Sequence, residues 1–213
     1  MNLVSTCDLL LQRHEINPFL RRLVTGDETW VLYQNVHRKR TWSKENRPFT
    51  VAKPGLHPKK VFLSIWWYWK GVVYYELLPQ DETINSNKCC NQLDQLKAAI
   101  AEKRPELANR RGVVFHYDNV AKPHVALAVR QKLLQFDWDI LPHPPYSPHL
   151  APFDYYFFLS LKNSVRGKCF KFVTEIKTHL DEYFASKPQQ FWRDGIMRLP
   201  ERWKFIYNAI NQT

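Results

Sequence analysis

The sequence predicts an α/β domain: a sheet of mixed strand direction covered by helices, with extra helices towards the C-terminus. Three segments rich in β-branched and aromatic residues follow one another between residues 21 and 78. From residue 83 onward, segments of helical period alternate with short apolar runs. Composition agrees, because 45% hydrophobic and 15% aromatic residues with only 6 glycines in 213 residues exclude a disordered tail, a collagen or a low-complexity linker.

Leu3, Cys7 and Leu10 recur at helical spacing until Asn17-Pro18, which predicts a short opening helix. Residues 21–34 (RRLVTGDETWVLYQ), 60–69 (KVFLSIWWYW) and 72–78 (VVYYELL) read as strands, the last two joined by a turn at Lys70-Gly71. Three strands in succession suggest an antiparallel meander. Trp66, Trp67, Tyr68 and Trp69 alternate across the second strand, which predicts core on one face and a partner surface on the other. Residues 36–60 hold eight Lys/Arg against one Glu, with three prolines, and read as a basic loop.

After Asp81-Glu82-Thr83, Leu93, Leu96 and Ile100 share one helical face until Pro105, as a crossover helix requires. Residues 113–117 (VVFHY) form a short buried strand, and Pro123 sits near a helix start with Val125, Val129, Leu133 and Phe136 in phase. Residues 138–141 are a further short strand. The proline-rich loop 142–152 can neither ladder nor coil, and Asp154 stands where a helix carrying Tyr155, Phe158, Leu161 and Val165 begins. Phe172, Ile176, Leu180 and Tyr183 mark the next helix, and residues 192–210 another that Pro200 breaks or kinks. Without an internal repeat or a dividing linker, residues 1–213 read as a single domain.

Lys+Arg 31 against Asp+Glu 20 gives a formal charge of +11, which favours polyanionic partners, nucleic acid before membrane. No run approaches the roughly 18 apolar residues of a membrane span, and residues 1–15 lack the basic start and cleavage site of a secretion signal, so no membrane partner is expected. Four cysteines, none in a C-x-x-C pair, read as reduced structural thiols of cytosol or nucleus.

Three aspartates are expected at element ends: Asp27 within or beside the first strand, Asp118 after VVFHY and Asp154 at a helix start. Carboxylates gathered at one sheet edge repel one another unless a divalent cation lies among them, and hard oxygen donors suit Mg2+ or Mn2+. Two such ions activate a water and stabilise the leaving oxygen of a phosphodiester. The competing reading makes Asp154 a helix cap and Asp118 part of a strand-end turn with Asn119. Glu28 points to the opposite face of a regular strand and is a poor ligand. His124 and His143 read as hydrogen-bonded structural histidines before metal or substrate contacts.

TGDETW, IWWYWKGVVYYELL, ETI, YDNVAKPH and PHPPYSPHLAPFDYYFF, in that order, resemble the catalytic half of mariner transposases from about Leu9 to at least Phe170. The chain is also similar to a transposase-derived nuclease domain fused to a histone methyltransferase. The resemblance implies a ribonuclease-H-like fold and a metal-dependent site for DNA strand cleavage and strand transfer, with Asp27, Asp118 and Asp154 as catalytic and metal-binding residues and two Mg2+ or Mn2+ ions as cofactor. It further implies action in the nucleus, with residues 1–20 a remnant of the linker helix and the family's paired helix-turn-helix modules absent. DNA binding is then expected to be largely indifferent to sequence, and a homodimer is an allowed assembly.

Departures bear on activity. Thirty-five residues separate Asp118 from Asp154, one more than the family spacing, and Val120 reads as the insertion because the family has D-N-A-R-P-H. Tyr117 replaces the family's histidine before the second aspartate, and His149 replaces the aspartate of Y-S-P-D-L. A truncated or degenerate copy fits these changes, and the alternative is a catalytically dead DNA-binding or dimerisation module. Arg38, Lys39, Arg40, Lys44, Arg47, Lys59 and Lys60, interleaved with Trp42, are expected to line a DNA groove, with a solvated basic surface as the competing reading.

Overall fold

The structure is a computed structural model, and the residues it describes are 3–35, 58–79, 82, 84–107, 112–117, 126–145 and 147–211. In chain order they form α1 (Leu3–Ile16), a 3-10 turn (Leu20–Arg22), β1 (Leu23–Leu32), β2 (Lys60–Tyr68), β3 (Gly71–Leu78), α2 (Ser86–Lys103) and β4 (Val114–Tyr117). There follow α3 (Leu127–Gln135), β5 (Asp139–Ile140), a 3-10 turn (Pro148–Leu150), a π-helical turn (Phe153–Phe157), α4 (Phe158–Val165), α5 (Val173–Ser186), α6 (Gln189–Met197) and α7 (Leu199–Asn211).

The five strands lie in the order β3-β2-β1-β4-β5. β1, β2 and β3 form the expected antiparallel meander, while β4 and β5 run parallel to β1. Parallel pairing needs a crossover, and α2 supplies it from β3 to β4. The side-chain period of two then sorts the strands into two cores. Leu23 and Val31 of β1 and Val61, Leu63, Ile65 and Trp67 of β2 pack with α1 and α4 to α7. Val24, Trp66, Tyr68 and Phe115 pack with α2 and α3.

Three expectations change, and the choice between break and kink at Pro200 is decided. Trp66 and Trp67 are buried on opposite faces, so neither face of that strand is left as a partner surface. The helix expected near Pro123 runs Leu127–Gln135, with Ala126 as its N-cap, while Pro123 and Val125 lie outside the described residues. Pro200 breaks the C-terminal helix in two and does not kink it: α6 ends at Met197, and Pro200 sits in the first turn of α7, where its missing N–H has no intrahelical acceptor to lose. Asp27 lies inside β1, not at its end.

Candidate active site

Asp27 is half-buried and sits opposite Ile65 of β2, on the face that carries Leu23, Thr25 and the first core. Its Oδ1 accepts the Glu28 backbone N–H at 2.8 Å. The parallel pairing of β1 with β4 covers Leu23–Val114 to Gly26–Tyr117, so Asp27 is the first residue of β1 past that ladder. Glu28 borders Gly26, Trp66, Cys89 and Tyr117 on the other face, as strand alternation requires.

Asp154 is exposed in the π-helical turn, whose N-cap is Pro152 with no side-chain cap bond, so the helix-cap reading of Asp154 does not hold. The turn is held by its apolar neighbours. Phe157 stacks on Trp67 with centroids 5.8 Å apart, and Phe153 meets the same indole edge-on at 5.9 Å. Because Trp67 is the cross-strand partner of Thr25, this anchor sets the turn in contact with β1 on the face of Asp27. The structure thus brings the elements of Asp27 and Asp154 together. Asp118 lies outside the described residues, although Tyr117 before it is paired with Gly26 before Asp27.

A buried polar chain crosses the same face. Thr25 Oγ1 lies 3.3 Å from His116 Nδ1, and His116 Nε2 lies 3.1 Å from His143 Nδ1. Burial, with a smaller contribution from His143, pushes the His116 imidazole down to about 3, so it is neutral at pH 7. These contacts join β1, β4 and the proline-rich loop that leads to Asp154. His143 is the hydrogen-bonded structural histidine expected. His116 was not singled out by sequence, though a polar residue next to Phe115 in a short buried strand is a signal for it. His124 lies outside the described residues.

Tyr117 packs on Phe115 at 5.2 Å in the second core, away from the face of Asp27. His149 is exposed, and its carbonyl accepts from Arg202 Nε at 2.7 Å. Of the basic loop, Arg38, Lys39, Arg40, Trp42, Lys44 and Arg47 lie outside the described residues, as does Val120. Lys59 is exposed with its ammonium 4.6 Å from the Tyr33 ring, and Lys60 lies 4.0 Å over Trp30.

Among the described residues no group of three His, Cys, Asp or Glu side chains is placed to hold a metal ion. Asp27 and Asp154 offer only carboxylate oxygens, and the buried imidazoles of His116 and His143 are engaged with Thr25 and with each other. Such a donor set fits a hard divalent ion, Mg2+ or Mn2+, better than zinc.

A family described as "Transposase (partial DDE domain)" matches residues 32–110. The chain is 42% identical over 202 residues to Mariner Mos1 transposase of Drosophila mauritiana, covering 94% of this chain and 58% of that protein. It is 40% identical over 197 residues to Histone-lysine N-methyltransferase SETMAR of Homo sapiens, covering 92% of this chain and 28% of that protein. Among solved structures, the catalytic domain of Mos1 mariner transposase has a TM-score of 0.83 at 39% identity, covering 97% of this chain and 91% of that one. Mos1 paired end complexes with Mn and with Mg have TM-scores of 0.92 and 0.91 at 41% identity, covering 97% of this chain and 61% and 60% of those chains. The shared architecture is the ribonuclease-H-like one, a mixed five-stranded sheet with flanking helices.

Proposed function

The chain belongs to the mariner transposase family, and on that premise we propose that it is a divalent-metal-dependent DNA endonuclease and strand-transfer domain in which Asp27, Asp118 and Asp154 form the reactive site. The observation that carries this reading is the Trp67 anchor, which holds the turn bearing Asp154 against β1 on the face of Asp27. Asp27 and Asp154, with Asp118, would hold Mg2+ or Mn2+. Bound there, such ions supply a lowered pKa for the attacking water or DNA 3′-hydroxyl and charge stabilisation at the leaving oxygen. Thr25, His116 and His143 tie together β1, which carries Asp27, β4, which precedes Asp118, and the loop that leads to Asp154, and Glu28 takes no part because it faces the second core.

DNA is the partner this reading requires, bound largely without sequence preference through phosphate contacts that include Lys59, Lys60 and the basic loop before them. Mos1 is seen in paired end complexes, and by extension we propose that two copies of this chain assemble on DNA, in the nucleus.

The test is nicking of supercoiled plasmid with Mn2+, alongside calorimetric Mn2+ titration. The parent should nick only with metal present, and Asp27→Asn, Asp118→Asn and Asp154→Asn should each abolish nicking and weaken Mn2+ binding while leaving the melting temperature near the parent's. Deleting Val120 restores the family spacing and should raise the rate. Nicking that survives all three Asp→Asn changes would refute the assignment. No nicking by either the parent or the Val120 deletion would favour a DNA-binding module without catalysis.

A further inference from the structure

A second cationic site lies at the end of the sheet where β1 begins. The 3-10 turn Leu20–Arg22, the β2–β3 turn at Trp69 and Lys70, and the C-terminal end of α2 enclose a cleft of about 390 Å³. Among the described residues four cations line it, Arg21, Arg22, Lys70 and Arg104, against one carboxylate, Glu106.

The turns are tied together through one carbonyl. Arg21 O accepts from Trp69 Nε1 at 3.1 Å and from Arg104 Nη2 at 3.4 Å. The Arg21 guanidinium and the Lys70 ammonium both stand over the Trp69 ring, at 5.8 and 4.9 Å. Arg104 is the C-cap of α2, where the residue before Pro105 leaves the helix, and it is only 6% exposed. Its guanidinium lies 4.7 Å over Tyr68, its Nε donates to Glu106, and its Nη1 is buried with no hydrogen-bond partner among the described residues. A guanidinium removed from water and one donor short gains from an anion nearby. A second depression, of about 520 Å³, continues past Arg21 and Arg22 along the end of α1.

We infer that this cleft binds a backbone phosphate of DNA, at a point remote from the phosphodiester held at the aspartates. Leu23, the first residue of β1 after Arg21 and Arg22, is four strand steps from Asp27, roughly 13 Å at about 3.3 Å per residue, so one phosphodiester cannot reach both. The cleft is also at the opposite end of β1 from Lys59 and Lys60, since Lys60 pairs with Leu32. Each non-bridging oxygen of a backbone phosphodiester can accept from more than one donor, so one phosphate can meet several of these cations, and the aromatic floor keeps their ammonium and guanidinium groups fixed. The inference rests on the DNA-acting reading above for the source of the phosphate, not for the anion site.

The experiment is fluorescence anisotropy of a labelled random-sequence duplex with the 213-residue chain across a salt series, without metal. The variant is Arg21→Gln/Arg22→Gln/Lys70→Gln. A charge-matched control, Lys162→Gln/Lys177→Gln/Lys204→Gln, removes three exposed lysines elsewhere. The cleft variant should lose about tenfold in affinity near 0.15 M salt and lower the log–log salt slope by about one phosphate contact, with the control close to the parent. Equal losses in variant and control, or none in either, would overturn the inference. In a second arm, inorganic phosphate is added to the melting assay. Stabilisation of the parent but not of the cleft variant, with unchanged DNA affinity, would reassign the cleft to free phosphate and overturn its DNA role. Failure of nicking with the cleft-dependent DNA loss intact would sink the catalytic reading alone.

Discussion

Trp66 of β2 lies over Gly26 of β1, its cross-strand partner, so closely that a Cβ at position 26 would stand 2.1 Å from Trp66 Cδ1 and 2.2 Å from Nε1. Gly26 directly precedes Asp27, so the glycine of TGD answers to a tryptophan 40 residues later in the sequence. Gly26→Ala must push the indole or the strand aside. It should cost about 1–3 kcal/mol in urea denaturation, as overpacked cores do. Trp66→Leu in the Gly26→Ala background should recover part of the loss. An unchanged unfolding midpoint for Gly26→Ala would mean the contact yields freely.

Trp67 on the other face should couple stability to the site. It is fully buried among Phe153, Phe157 and Trp192. Trp67→Ala should cost about 3–5 kcal/mol. By freeing the turn of Asp154 it should also weaken Mn2+ binding. Leu96→Ala opens a cavity in the second core, and should lower stability while leaving Mn2+ affinity near the parent's. Equal Mn2+ affinity in both variants would show that Trp67 only fills space.

His116 and His143 should behave as a unit. Removing His143 leaves a buried imidazole nitrogen without its partner, at a cost of about 1–3 kcal/mol. In a double-mutant cycle, His116→Leu and His143→Leu should be less than additive by about 0.5–3 kcal/mol. Strict additivity would separate the two residues.

The cysteines should separate by burial and pH. Cys169 is exposed and should react first with a disulfide reagent, whereas Cys7, which has no exposed surface, should react only on unfolding. Burial pushes the Cys7 thiol up from 9.0 to about 11. Its folded form therefore keeps a proton that the unfolded chain releases, so its contribution to stability is complete below pH 9 and is lost as pH rises from 9 through 11. Cys7→Ala should flatten the fall in unfolding midpoint across that window. An identical fall in the variant would place its cause elsewhere.

The element order was legible in the sequence because it rests on local period. Alternation placed Glu28 away from Asp27, and helical spacing in Leu93, Leu96 and Ile100 marked the crossover. The motifs around Asp27, Asp118 and Asp154 carried the family. Local period cannot say what covers a face: α2 closes on Trp66 and α6 on Trp67, which makes both sides of that strand core. It cannot pair Thr25 with His116, 91 residues apart, or bring Arg104 to the carbonyl of Arg21, 83 residues away. Those contacts exist only once the chain has met the loop-closure cost of joining distant segments. The polar groups buried by that closure then take whatever partners the packed elements present, and only the tertiary structure decides which.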